Sequence, residues 1–239
     1  MEKDYENKEL SSYVGRTVRV FISYATEDKE LAGNFKRALE GLGLEVFLAH
    51  EDINPSSDWP DVILENIKST DIFMPLITEN FRKSLWTDQE SGVALSENKF
   101  IFPIAIDKKM PYGFLDKIQA FRQNSKSPIL AEDIVKDIVQ SKPRFTSPLL
   151  DSLIKSFTSS YRYDDAGSRS ALLLNFDIIT DEQANEIFRG IVQNDQIYCS
   201  SSARGNVKKL FNKYKHLLDT KLLEELNNKE ELAYVVGKV

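Results

Sequence analysis

The chain of 239 residues holds one cysteine, Cys199, and two histidines, His50 and His216. A single thiol closes no internal disulfide and supplies no thiolate cluster for zinc or iron. Two imidazoles argue against a histidine-rich metal site. No apolar run approaches the 18 or so residues of a membrane span. The opening MEKDYENKEL is charged and polar, unlike a secretory signal. Lys and Arg number 31 against 37 Asp and Glu, for a net charge of -6. That balance argues against general nucleic-acid binding, which relies on a positive field to neutralise phosphates. Neither GxGxxG nor GxxxxGK[ST] occurs, so the usual phosphate-cradling loops are missing. The expectation is a cytoplasmic protein in a reducing setting, with neither nucleic acid nor membrane as a partner and no metal or bound cofactor.

What is present is an ordinary globular balance, 41% hydrophobic and 28% charged, with length for one large domain or two small ones. Residues 1–15 read as a polar leader. Thr17 to Tyr24 is rich in β-branched and aromatic residues, as a buried strand is. Thr26-Glu-Asp opens a helix carried by Leu31, Phe35, Ala38, Leu39 and Leu42, with Gly41 and Gly43 as its stop. Leu44–Leu48 is a second strand, and Ala49 to Ser57 a loop. Ser57 or Asp58 caps the next helix, which Pro60 tolerates in its first turn. Asp71–Ile77 is a third strand despite Pro75, Lys99–Ile106 a fourth, and Ile118 to Phe121 a short fifth. Glu132 to Val139 closes the series as a helix. Strands alternating with helices of about 10–15 residues imply βαβ units around a mostly parallel sheet.

One helix, about Ser84 to Asn98, carries an anomaly. Trp86 and Glu90 are four apart and so share a face, which Val93 and Ala94 continue. A carboxylate stands where leucine would be cheaper to bury. Glu90 is either a solvated or capping acid or a group in use. In parallel sheets ligands bind beyond the carboxyl ends of the strands. That rule gathers Ser23, Tyr24 and Ala25, the loop with His50 and Glu51, and the helix with Trp86 and Glu90 at one edge. Each has a plain alternative: Tyr24 and Trp86 as core aromatics, His50 as a solvated loop residue.

FISYATEDKE, FLAHEDINPSSDWPDVI and WTDQESGVAL, in this order and spacing, resemble a TIR (Toll/interleukin-1 receptor) domain of the bacterial type over roughly residues 17–140. The resemblance implies a flavodoxin-like α/β fold, a doubly wound parallel five-stranded sheet of order 2-1-3-4-5, with Ala49 to Ser57 as the family's BB loop. It divides function in two. Some members are non-enzymatic scaffolds acting through TIR–TIR contacts. Others cleave NAD+ at the nicotinamide–ribose bond, to ADP-ribose or a cyclic ADP-ribose, with an essential Glu four residues after a Trp. Glu90 matches that position and is the implied catalytic residue. Ser23, Tyr24, Ala25, His50, Glu51 and Trp86 are the implied substrate contacts, with NAD+ as substrate and not as cofactor. Self-association, a downstream effector sensing the product, and a role in bacterial antiphage defence follow from the same resemblance. Two positions depart from the pattern: Ala49 stands where several NAD-cleaving relatives carry an acid, and Ala25 where a basic residue is frequent.

The domains expected are a TIR domain over 16–142 and a smaller, mainly helical accessory domain over 143–239, with Lys142–Pro148 as the boundary. Helices are expected over Leu149 to Phe157, Asp181 to Val192, Asn206 to Leu218 and Lys221 to Leu232. Thr180-Asp-Glu-Gln183 is a capping box. Ile197–Cys199 is a candidate strand, with Cys199 a small core residue. Lys208, Lys209, Lys213 and Lys215 read as a solvated face.

Overall fold

Strand β1, Arg19–Ser23, is built from RVFIS and is buried from its second residue onward. The computed structural model describes residues 17–49, 59–176 and 179–237. Its chain divides into two compact units, Met1–Phe145 and Thr146–Val239. The 1–15 leader, most of the Ala49 to Ser57 loop, and the cap at Ser57 or Asp58 lie outside the described residues.

In the first unit, β1 is followed by helix α1 (Lys29–Glu40), β2 (Glu45–Leu48), α2 (Trp59–Ser69), β3 (Ile72–Ile77), α3 (Leu85–Ser96), β4 (Phe100–Ile101), β5 (Ile104–Ile106), β6 (Phe121–Gln123) and α4 (Ala131–Ser141). All the pairings are parallel, in the order β2-β1-β3-β5-β6, with β4 also on β3. β3 lies in the middle of the sheet and is buried along its whole length, as an apolar strand covered on both faces must be. Phe47, Phe21 and Phe73 sit at partnered positions on β2, β1 and β3, their rings stacked at 5.4 and 5.5 Å. Alternation along the strand puts Ser23 on the same face as Phe21.

Pro75 sits in the central strand, where a missing N–H is usually not tolerated. It pairs with Ser23 as the last register position shared by β1 and β3, and pairing with β5 begins one residue later at Leu76. The proline thus falls where the β1 ladder ends. The fourth strand, expected unbroken over Lys99–Ile106, is instead two pieces in one register, Ile72 opposite Phe100 and Leu76 opposite Ile104. Pro103, which has no N–H to give, stands in the break. The fifth strand lies at Phe121–Gln123, after the expected Ile118 to Phe121, because Gly113–Leu115 forms a 3-10 turn and Ile118 N–H bonds back to Leu115 O. Gly43, at φ 88, supplies the left-handed residue that ends α1, and Asn98, at φ 53, does so for α3.

The second unit is helical: α5 (Thr146–Thr158), α6 (Tyr163–Leu173), α7 (Asp181–Gln193), α8 (Asp195–Tyr198), α9 (Ser201–Tyr214), α10 (Thr220–Asn228) and α11 (Ala233–Val236). Thr180 and Gln183 form the expected capping box. The boundary at Lys142–Pro148 is no open linker: Pro143–Phe145 is a 3-10 turn, and Pro148 is buried in α5. Helix α6 escaped the sequence reading because Ala166, Gly167 and Ser170 give its buried face little hydrophobic contrast. Ile197–Cys199 is not a strand. Asn194 caps a short helix there, and Cys199, just beyond its end, is exposed and no core residue. Lys208, Lys209, Lys213 and Lys215 are exposed, as expected of a solvated face.

Two substitutions test these packing arguments. Asp107 and Lys108 have φ 48 and 68, and Lys109 N–H bonds Ile106 O at 2.9 Å, a turn of type I′ that favours glycine third. Lys108→Gly should raise the urea-unfolding free energy by about 0.5–1 kcal/mol. A Cβ on Gly190 would lie 2.3 Å from Thr158 Cγ2. Gly190→Ala should therefore cost about 1–3 kcal/mol, read by the same titration.

Candidate active site

Helix α3 buries Thr87, Glu90, Ser91 and Ala94, an i, i+3, i+4, i+7 stripe of small and polar side chains. Small residues let this helix lie close to the sheet, and it packs on β1, β3 and α2. Thr87 Oγ1 donates to Phe81 O and Ser84 O, each at 2.8 Å, and Ser91 Oγ donates to Thr87 O at 2.7 Å. Their hydroxyls are satisfied within the helix and the turn before it. Glu90 is the member of the stripe whose side chain is hydrogen-bonded to the sheet.

Glu90 is 2% exposed. Ser23 Oγ, at the carboxyl end of β1, donates to Oε2 at 2.5 Å. Oε1 is buried without a hydrogen-bond partner. Burial raises the Glu90 pKa from the ordinary 4.5 to about 7, against a smaller lowering by the Ser23 hydrogen bond. A carboxyl so placed changes charge near neutrality and keeps one oxygen uncommitted, which suits proton transfer or the stabilisation of a nearby positive charge.

The loops that carry this pair are tied together. Asp28, after β1, accepts from Thr78 Oγ1 at 2.5 Å and from Asn80 Nδ2 at 2.8 Å. Phe81 N–H donates to Thr78 Oγ1 at 2.9 Å, fixing the turn from which α3 departs. On the outer side of α3, Tyr112 OH donates to Asp88 Oδ1 at 2.7 Å, and Arg82 lies 4.9 Å over the Tyr112 ring. Burial, and next the Asp88 carboxylate, push the Tyr112 hydroxyl well above its ordinary value. Among the described residues no three His, Cys, Asp or Glu side chains gather as a metal site.

Residues 20–133 match the family model described as TIR domain. This segment is a TIR domain. The TIR domain of the Toll-related receptor TRR-2 from Hydra magnipapillata is a similar solved structure, 21% identical, with a TM-score of 0.40, the match covering 52% of this chain and 93% of that one. A comparison with curated proteins gives no match.

Within the TIR domain, the expected site residues fare differently. Ser23 and Glu90 are in contact. Tyr24 and Ala25 are fully buried at the end of β1, Tyr24 as a strand-end core aromatic. Trp86 does not lie on the buried face: it is 42% exposed in the first turn of α3, beside Leu85 at 77%. The expected stripe Trp86–Glu90–Val93–Ala94 is rotated, with Thr87 and Ser91 in the places given to Trp86 and Val93, because the wide indole cannot enter so close a helix–sheet contact. The spacing of Thr87, Glu90, Ser91 and Ala94 was present in the sequence, but a search for apolar residues passes over it. Tyr112 and Asp28 had no such signal, since their partners are distant in the chain. His50 and Glu51 lie outside the described residues.

The raised proton affinity of Glu90 has a thermodynamic consequence. Its contribution to stability is fully present below pH 4.5 and is lost between there and about pH 7, where the folded carboxyl ionises. The amount is about 3 kcal/mol. Glu90→Gln cannot ionise, so its stability relative to the natural chain should climb across that window and level off above it. Urea unfolding at a series of pH values measures this, and a difference independent of pH would rule out a carboxyl held neutral by burial.

Proposed function

We propose that the TIR domain cleaves NAD+ at the nicotinamide–ribose bond, with Glu90 as the catalytic carboxylate. The observation that carries this reading is a buried carboxyl at the carboxyl end of the sheet, with one oxygen bonded to Ser23 and the other free. Nicotinamide leaves as a neutral molecule because its ring nitrogen is cationic while bound. Departure leaves an oxocarbenium-like ribose. A carboxylate in a water-poor site stabilises that charge and accepts a hydrogen bond from a ribose hydroxyl, both more strongly than in water. Water then adds to the ribose carbon, giving ADP-ribose, nicotinamide and a proton. Attack by a hydroxyl or base nitrogen of the same molecule gives a cyclic ADP-ribose instead. A released cyclic product is a signal for a downstream effector, the arrangement of bacterial antiphage defence.

Glu90 is closed to solvent in this structure. Substrate reaches it once its surroundings open, and association of two TIR domains is a means of driving that opening. The second reading, a scaffold that acts by TIR–TIR contact without chemistry, is favoured by a different observation: Leu85 and Trp86 place an exposed apolar pair at the start of α3.

Incubation with NAD+ and chromatography of the products separates the two. The enzymatic reading expects nicotinamide release that rises more than linearly with protein concentration and falls by about a hundredfold or more in Glu90→Ala. Intact NAD+ at high protein concentration, or equal turnover by the variant, would overturn it and leave the scaffold.

A further inference from the structure

Among the described residues, Glu90 receives a single side-chain hydrogen bond, from a serine that could instead have served the ligand. We propose that Ser23 is a positioning residue for Glu90 and not a contact to substrate: its hydroxyl occupies Oε2 and leaves Oε1 as the oxygen that meets a ribose hydroxyl. The proposal rests on the reading of Glu90 as the catalytic carboxylate.

A serine hydroxyl has one proton to donate. Ser23 is fully buried and gives that proton to Glu90 Oε2, so it has none for a bound molecule. The other hydroxyls on the buried face of α3, those of Thr87 and Ser91, donate to backbone carbonyls. Among the described residues, no charged group takes the place of Ser23. Arg19 of β1 pairs with Glu45, and β3 carries no charge. Asp61, Glu65 and Lys68 of α2 are exposed. In the turn before α3, Lys83 pairs with Glu79 and Arg82 covers Tyr112. Asp88, on α3 itself, accepts from Tyr112. The hydroxyl of Ser23 is thus the handle by which the fold orients the carboxyl and tempers its proton affinity, since that hydrogen bond opposes the effect of burial.

The test follows the Glu90 side-chain carboxyl carbon by NMR in protein labelled with 13C-glutamate, from about pH 4 to about pH 9, its resonance assigned by its disappearance in Glu90→Gln. Ser23→Ala should move the midpoint upward by about half a pH unit or more, and Ser23→Thr, which restores the hydroxyl, should bring it back. Should Ser23→Ala not fold, Ser23→Cys, a weaker donor of similar shape, takes its place with the same upward shift expected. In NAD+ cleavage, the acid limb of the rate profile should move with the midpoint while KM stays within about twofold. An unmoved midpoint, or a KM raised about tenfold or more, would make Ser23 a passive core residue or a substrate contact and overturn the proposal. The NMR readout needs no substrate. A shifted midpoint in a protein that leaves NAD+ intact would remove the proposed activity and leave the hold of Ser23 on Glu90 standing.

Discussion

A carboxyl group taken out of water must be paired, hydrogen-bonded or neutralised, because an unpaired buried charge costs several kcal/mol. The TIR domain meets that constraint at Glu90 with one hydroxyl, and much of the surrounding architecture serves to bring the two together. Ser23 ends a strand whose ladder to β3 stops at Pro75. Glu90 stands on a helix that can lie close to the strand because Ser91 and Ala94 beside it are small. Asp28 joins the connections that lead into both elements. The hydrogen bond at 2.5 Å is the meeting point of these arrangements.

On the proposed reading, the same contact links stability and chemistry. A carboxyl that would be charged when used sits in a fold that tolerates its charge poorly. Stored destabilisation of this kind is common at functional sites, where it is offset by the rest of the core. Here the offset comes from a sheet with a wholly buried central strand and from the Phe47–Phe21–Phe73 row on the face that carries Ser23.

The strand–helix alternation was legible because apolar runs such as VRVFI and FMPLI are bounded by turn residues, whereas the sheet order was implied only by the resemblance to TIR domains. The expected fourth strand took no account of Pro103, which punctuates a ladder without changing its register. In the site, Glu90 stood out because a carboxylate interrupts an otherwise apolar setting. Ser23 was gathered to the same edge by topology, but its pairing with Glu90 depends on an atomic distance that no spacing encodes. Trp86 was misplaced for a physical reason: helical periodicity says which residues share a face, and only side-chain volume says which face can approach a sheet. Helix α6 was missed on the same account, since close packing uses residues such as Gly167, where a Cβ would lie 2.3 Å from Ser202 Oγ.

Asp28 bridges segments about 50 residues apart, with Thr78 and Asn80 on the same carboxylate. The two connections at this end of the sheet therefore behave as one mechanical piece with a fixed length of chain on each side. A residue inserted between Ala25 and Asp28 would draw the carboxylate away from both partners and release the turn that aims α3. An insertion at the exposed Asp116–Lys117, beyond the anchored Tyr112 and the buried Leu115, leaves that tie intact, so the sequence has more room to grow there.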